Sequence, residues 1–304
     1  MYKMIKIFTM VKDECDIIED WILYHGNIFG YHNLYIVDNE SGDGTYEIIQ
    51  KYQEKGVNVY RHPNYLEKGN IMKELINNNL CTIAFPLDID EFIVYYHKES
   101  NKISIDNIVT YLHTLIETDN ITANNIGLYK CDYIHSKLST PSKQGYNRAV
   151  LECTRGRYDN NRTKNMTKAF FDTRKWNGNI DHGNHFNTYS EYIMSNLCLV
   201  HYHKRNLQQH KKKVINNIEG LGYNPNDLNA LKQLENGCIG SHHVKEMIRI
   251  LENKYSINTN EPVYSTDIRL TPISNFIKKV IPEKKNEIVE KNQLSRFEFI
   301  KNRK

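Results

Sequence analysis

No run of about 18 apolar residues occurs in the 304-residue chain, so no segment reads as a bilayer span. Cysteine is sparse, with six scattered residues (Cys15, Cys81, Cys131, Cys153, Cys198 and Cys238) and no C-x-x-C. A structural zinc ion and a disulfide framework are therefore not expected, and the thiols read as reduced. An excess of one charge is also lacking. Forty Lys and Arg face 36 Asp and Glu, a net charge of +4, short of the basic footprint of a nucleic-acid binder. The start, "MYKMIKIFTMVKDE", has no apolar h-region with a cleavage site. No G-x-x-x-x-G-K-[ST] appears, and no internal repeat. The expectation is a soluble protein, cytoplasmic or otherwise intracellular, with no membrane span and no nucleic-acid partner. Hydrophobic residues at 39% and charged residues at 25% fit a globular chain. The abundance of Asn, Lys, Ile and Tyr suggests an AT-rich genome, viral, protist or bacterial.

The first 90 residues alternate strand and helix. "MIKIFTMV" suits a buried strand. "KDECDIIEDWILYHGNIFG" then spaces Ile18, Trp21, Ile22, His25 and Phe29 as one helix face, ending at Gly30. "NLYIVD", "VNVYRH" and "CTIAFPL" read as further strands, separated by helices over "TYEIIQKYQEKG" and "EKGNIMKELINNNL". Strands joined through helices run parallel with right-handed crossovers, and such sheets bind ligands outside their carboxyl ends. Three polar clusters fall there: "KDE", "DNESGDG" and "DIDE". From about residue 205 the chain reads as helical, and the part from about 271, rich in Lys and Glu, as a peripheral helix or frayed tail. The expected units are 1–204, catalytic, and a mainly helical 205–304 packed on it, with the last 30 or so residues peripheral.

"FPLDIDEFIV" places Asp88, Asp90 and Glu91 directly after an apolar strand. Residues two apart at a strand end face the same side, so Asp88 and Asp90 converge. Two close carboxylates repel unless a cation lies between them. A hard divalent ion such as Mn²⁺ or Mg²⁺ suits them and leaves positions for phosphate oxygens. The blander alternative is that Asp88 caps a turn and Asp90 is solvated. Two rivals share the letters. Haloacid-dehalogenase phosphatases place a D-x-D after the first strand, whereas here it follows the fourth. A Walker B element would need a P-loop, which is missing.

"FTMVKDECDIIEDWILYHGNIFGYHNLYIVDNESGDGTYEII" followed by "AFPLDIDEFIV" resembles the glycosyltransferases of the GT-A fold, nearest the family-2-like and DUF23-type subset. The resemblance spans residues 5 to 94; beyond it only "TKAFF", "DHGNHF" and "HYHKR" match, and loosely. It implies an α/β, Rossmann-like, mostly parallel sheet with flanking helices and, here, a C-terminal helical extension. It further implies transfer of a sugar from a UDP-sugar to an acceptor hydroxyl on a glycan or protein, with inversion. Asp88 and Asp90 map onto the acids that hold Mn²⁺ (or Mg²⁺) and the diphosphate, with Ile89 between them. Asp38 maps onto the acid that accepts from the uracil N3–H. Val11 and Glu14 lie in the loop that walls base and ribose; Ser41 and Asp43 tighten the "NESGDGT" turn. Lys73 and Lys68 are within reach of a phosphate or ribose from the third helix, with a solvated face as the alternative. Glu91 reads as a brace and Phe92 as core.

Further along, "LCLVHYHKR" puts His201 and His203 on one face, with Lys204 or Arg205 for a phosphate. His201 is the expected third metal ligand, although His182, His185 and His203 remain open. Asp181 in "NIDHGNHF" is the candidate general base, against a plain turn-forming role. Lys168 in "TKAFF" is a candidate phosphate or acceptor contact. Ser241 reads as a helix N-cap, with His242 and His243 as weak acceptor-site candidates. The basic run "KRNLQQHKKK" reads as a solvated helix face. Two other functions stay open: a nucleotidyltransferase or phosphatase acting through the D-x-D, and a non-catalytic nucleotide- or nucleic-acid-binding module.

Overall fold

The computed structural model describes residues 4–118, 127–137, 148–159, 167–181, 183–185, 191–203, 205–238, 240–254 and 265–281. Its N-terminal half follows the expected alternation. Strand β1 (Ile5–Val11) is buried at every position, including Thr9 and Lys6, whose ammonium donates to the Tyr35 hydroxyl at 2.7 Å. Helix α1 (Ile18–Phe29) buries Ile18, Trp21, Ile22, His25 and Phe29 and ends on Gly30, whose φ of 90° suits a residue without Cβ. Then come β2 (Leu34–Asp38), α2 (Thr45–Gln50), β3 (Asn58–Arg61), α3 (Lys68–Asn78) and β4 (Ile83–Pro86). β3, β2, β1 and β4 lie side by side and all parallel.

The chain continues through β5 (Glu91–His97), β6 (Lys102–Ser104), α4 (Asn107–Thr118), β7 (Leu128–Lys137), α5 (Ala149–Glu152) and β8 (Arg155–Asp159). After β9 (Thr167–Asp172) and β10 (Ile193–His201) it enters α6 (Leu207–Gly220), α7 (Leu228–Leu234) and α8 (Ser241–Leu251), and closes with β11 (Ser265–Arg269) and α9 (Thr271–Val280). The sheet runs β3-β2-β1-β4-β9-β7-β10-β5-β6, with β8 joining β7 to β11. β9 is antiparallel to β4 and to β7, β10 is parallel to β7, and β5 is antiparallel to β10. The C-terminal edge of β1, β2, β4 and β10 therefore coincides with the starts of β5 and β9.

α1 fixes this layout through two buried hydrogen bonds. Trp21 Nε1 donates to the Glu91 carbonyl at 3.0 Å, and the Tyr24 hydroxyl to the Ile93 carbonyl at 2.6 Å. Between them His25 donates from Nδ1 to the Trp21 carbonyl at 3.1 Å.

Two expectations change at the C-terminus. The helical part has its own apolar cluster of Val214, Ile218, Leu231, Val244, Met247 and Ile248. The segment from 271 is not peripheral: Ile273 and Ile277, four apart on one face of α9, are buried in the main core, and Phe276 packs against Tyr24. β11 likewise returns to the sheet through β8. The expected peripheral tail beyond 281 lies outside the described residues. Ser241 begins α8, but Gly240 holds the cap position. No helix among the described residues is long and apolar enough to cross a membrane.

Burial holds the His25 imidazole at a pKa of about 3, against the small opposing pull of its bond to Trp21. The unfolded chain protonates this group near 6.5, so its contribution to stability is complete above that pH and is lost as pH falls toward 3. Urea unfolding of His25→Asn between pH 6.5 and 4 is expected to lose about one proton of slope, ~1.4 kcal/mol per pH unit. An unchanged slope would refute the buried neutral imidazole.

Candidate active site

The turn between β4 and β5 delivers the acids: β4 ends at Pro86, and the Glu91 N–H donates to the Asp88 carbonyl at 3.1 Å. Ile89 turns into the main core while Asp88 and Asp90 face the rim. Asp88 ion-pairs through Oδ1 with Lys68 at 2.7 Å and through Oδ2 with Lys168 at 2.8 Å. Asp90 is fully buried, and its Oδ2 lies 2.7 Å from Lys213 Nζ, 3.4 Å from His201 Nε2 and 3.7 Å from His203 Nδ1. Burial pushes both carboxyls up; Lys168 and Lys68 outweigh it at Asp88, and Lys213 and His201 at Asp90. Both stay ionised, well below the usual carboxylate range.

Glu91 braces this pair, as its position suggested. Its Oε2 accepts the Asp88 N–H at 2.8 Å, and its Oε1 accepts from the Tyr133 hydroxyl at 2.6 Å. Lys168 also lies 3.3 Å from Glu91. Glu14 sits deeper, its carboxylate between Arg205 and Lys213, the latter at 3.4 Å. Arg205 also pairs with Asp16 at 2.7 Å. The rim thus sets Glu14, Asp88, Asp90 and Glu91 against Lys68, Lys168, Arg205 and Lys213.

The basic run after β10 is not a solvated face. Asn206 caps α6 by accepting from the N–H groups of Gln208 and Gln209. Gln209, Lys212, Lys213 and Asn216, at helical spacing, then all turn to the rim. Gln209 donates to the Asp13 carbonyl, Lys212 pairs with Asp43 at 3.2 Å, and Asn216 donates to the Asp13 carboxylate. Asp13 has φ 54°, in the left-handed region that side chains rarely adopt. Two further hydrogen bonds hold it there: its N–H donates to Ser41 Oγ, and its carboxylate accepts the Gly42 N–H.

The base-binding candidates form the next part of the rim. Asp38, fully buried at the end of β2, pairs with Val11 in register. It accepts from the Ser41 N–H at 3.2 Å and from Arg61 Nε at 3.2 Å. A carboxylate has about four acceptor sites, so capacity for a further donor remains. Val11 is buried and its carbonyl takes the Asn39 N–H, tying the first two loops together. Ser41 and Asp43 do turn duty; Asp43 accepts both the N–H and the hydroxyl of Thr45 at the start of α2.

Lys73 is exposed on α3, and Lys68, the first residue of that helix, is the lysine that reaches the acids. Asp181 is exposed and its Oδ1 accepts the His185 N–H at 2.9 Å. His185 Nδ1 donates to the Thr167 carbonyl at 2.7 Å. Asn184, unmarked in sequence, anchors this loop by donating to the carbonyls of Pro86 and Ala169. Lys204 and His182 lie outside the described residues.

A divalent ion fits Asp90. Its Oδ1 is buried without a hydrogen-bond partner, as is His201 Nδ1. Asp90, His201 and His203 offer donor atoms all within 4.8 Å of one another. Burial holds His203 at a pKa of about 3, so its imidazole is neutral and has a lone pair to give. An oxygen with two nitrogens suits Mn²⁺ better than Mg²⁺. Asp88, held by two lysines, stands outside that triplet.

Arg205→Met is expected to destabilise the fold by about 3–5 kcal/mol, because Glu14 then keeps a buried charge with less compensation. Chemical denaturation at pH 7 measures it. A loss under about 1 kcal/mol, the scale of a surface pair, would refute the buried pairing.

No protein-family model matches the chain. A glycosyltransferase family 92 protein of Oryza sativa subsp. japonica is 30% identical over 91 residues, 29% of this chain and 15% of that protein. The chain thus matches well under a fifth of the length of that relative. Among solved structures, glucosyl-3-phosphoglycerate synthase of Mycobacterium tuberculosis, in complex with Mn²⁺ and UDP-glucose, is 18% identical. That likeness covers 43% of this chain and 44% of the other, with a TM-score of 0.29. S. aureus TarS is 12% identical over 82% of this chain and 71% of its own, with a TM-score of 0.36. By its N-terminal motifs and by the rice relative, the chain is similar to the glycosyltransferases of the GT-A fold.

Proposed function

We propose that the protein is a metal-dependent glycosyltransferase that moves a sugar from a UDP-sugar to an acceptor hydroxyl, with inversion. The observation that carries this reading is the buried, unpartnered Asp90 Oδ1 beside His201 and His203, on the same rim as Asp38. Asp90 and His201 would hold Mn²⁺, with His203 as a further donor and Asp88 facing the diphosphate side. Bound there, the ion supplies positive charge against the negative charge that develops on a departing diphosphate.

The chain's own residues do the rest. Asp38 accepts from the uracil N3–H, and Arg61, over the Tyr46 ring at 4.3 Å, orients that carboxylate by donating from Nε. Val11, at the end of β1, and Ile89, in the turn after β4, flank the nucleotide. Lys68 and Lys168 bring two ammonium groups to the rim; burial disfavours both charges, and Asp88 more than restores them. Each is placed to turn from Asp88 to a phosphate oxygen. Asp181, on the loop that Asn184 pins beside Pro86, takes the proton of the acceptor hydroxyl. The acceptor is a glycan or a protein hydroxyl.

The paired lysines favour this reading over a phosphatase. Both oxygens of Asp88 are engaged in ion pairs, an arrangement ill suited to attack on phosphorus. The cations after β10 favour it over nucleic-acid docking, since Arg205, Lys212 and Lys213 are paired with acids of the fold.

Thermal shift with UDP, with and without Mn²⁺, tests the proposal. UDP is expected to stabilise the protein only with the ion, and Asp90→Asn to abolish the effect while the variant keeps its melting cooperativity. An equal shift in EDTA would remove the metal from the scheme. A response to GDP or CMP but not UDP would remove the uridine.

A further inference from the structure

The end of β10 and the C-terminal helices share a second group of donor atoms, which overlaps the rim group only at His203. His203 lies just after β10, His210 in the first turn of α6, and Glu246 on α8. One donor atom from each lies within 4.8 Å of the other two. His210 Nε2 and Glu246 Oε1 are 3.6 Å apart, and the His203 and His210 rings are 5.0 Å apart, edge to face. Donors about 2.1 Å from a tetrahedral zinc ion lie roughly 3.4 Å from one another, so the His–Glu spacing is close to what a bound ion needs.

We propose that His203, His210 and Glu246 bind a transition-metal ion of the zinc class, which clamps the helical unit onto the catalytic rim. Two imidazoles and a carboxylate match zinc chemistry and leave a fourth position for water. The ligands come from three elements, and the side chains of His210 and Glu246 are 1% and 16% exposed. An ion there joins α8 to α6 and to the turn that carries His203. Those elements also bear Lys213, which contacts Asp90, and follow His201 directly. This site needs no thiolate, so the lack of a C-x-x-C gave no hint of it. It does not depend on the transferase reading, because His210 and Glu246 have no part in that reading and only His203 is shared with it.

The shared His203 sets the design of the test. Metal-free protein carrying Asp90→Asn, which disables the rim group, is titrated with Co²⁺ as a spectroscopic probe and with Zn²⁺ in thermal shift. The background variant is expected to show the visible bands of four-coordinate Co²⁺ and a rise in melting temperature with Zn²⁺ that a chelator reverses. Adding Glu246→Gln, a change at a partly exposed side chain, is expected to weaken Co²⁺ binding at least tenfold and cancel the Zn²⁺ stabilisation. Equal Co²⁺ affinity with and without Glu246→Gln would overturn the proposal. So would loss of all binding on Asp90→Asn alone, which would assign the ion to the rim. If the double variant melts non-cooperatively, Glu246→Asp in the same background serves instead. That variant is expected to bind Co²⁺ more weakly with an altered band, and an unchanged spectrum and affinity would overturn the site.

Discussion

Buried carboxylate charge is the constraint on which this structure depends. Glu14, Asp90 and Glu91 are almost wholly removed from water, and Asp88 is only one-third exposed. Charges taken out of water in this way are costly unless they are paired. Compensation comes from far away in sequence: Lys168 from β9, Arg205 from the turn before α6 and Lys213 from the middle of α6. The C-terminal helices are therefore electrostatically part of the site, whatever their separate apolar cluster suggests.

The topology makes that compensation possible. Because β9 and β5 run against their neighbours, their first residues meet the last residues of β1, β2, β4 and β10. Lys168 and Glu91 enter the rim as strand starts, and His201 enters as a strand end, directly across from Glu91. A purely parallel sheet could not have placed both kinds of terminus at one edge.

What was legible in the sequence follows from range. The four parallel strands and Gly30 as a helix stop are local patterns of spacing, whereas Asp88 and Asp90 lie in a turn past the end of β4 and take different partners. His201 beside Asp90 was reachable because "LCLVHYHKR" reads as a strand that ends in two same-face histidines. Lys213 was not, since a lysine in a basic helix looks solvated until its partner acids are placed, 123 residues away in the case of Asp90. Lys68 against Lys73 could not be decided by spacing alone, because either position opens toward the rim until the helix is docked. Asn184 gave no signal because its role is to satisfy two backbone carbonyls of other elements. The inward turn of α9 was hidden by its charged surroundings, although Ile273 and Ile277 carry the helical spacing.

The central claim is that the buried Asp90 carboxylate exists to hold a divalent ion against a nucleotide diphosphate. Anomalous diffraction near the manganese edge, from crystals grown with UDP and Mn²⁺, tests it most directly. The expected result is one peak bonded to Asp90 and His201 and touching the diphosphate, with the Lys213 ammonium displaced. Ordered UDP with no peak there, and Lys213 still seated on Asp90, would contradict it.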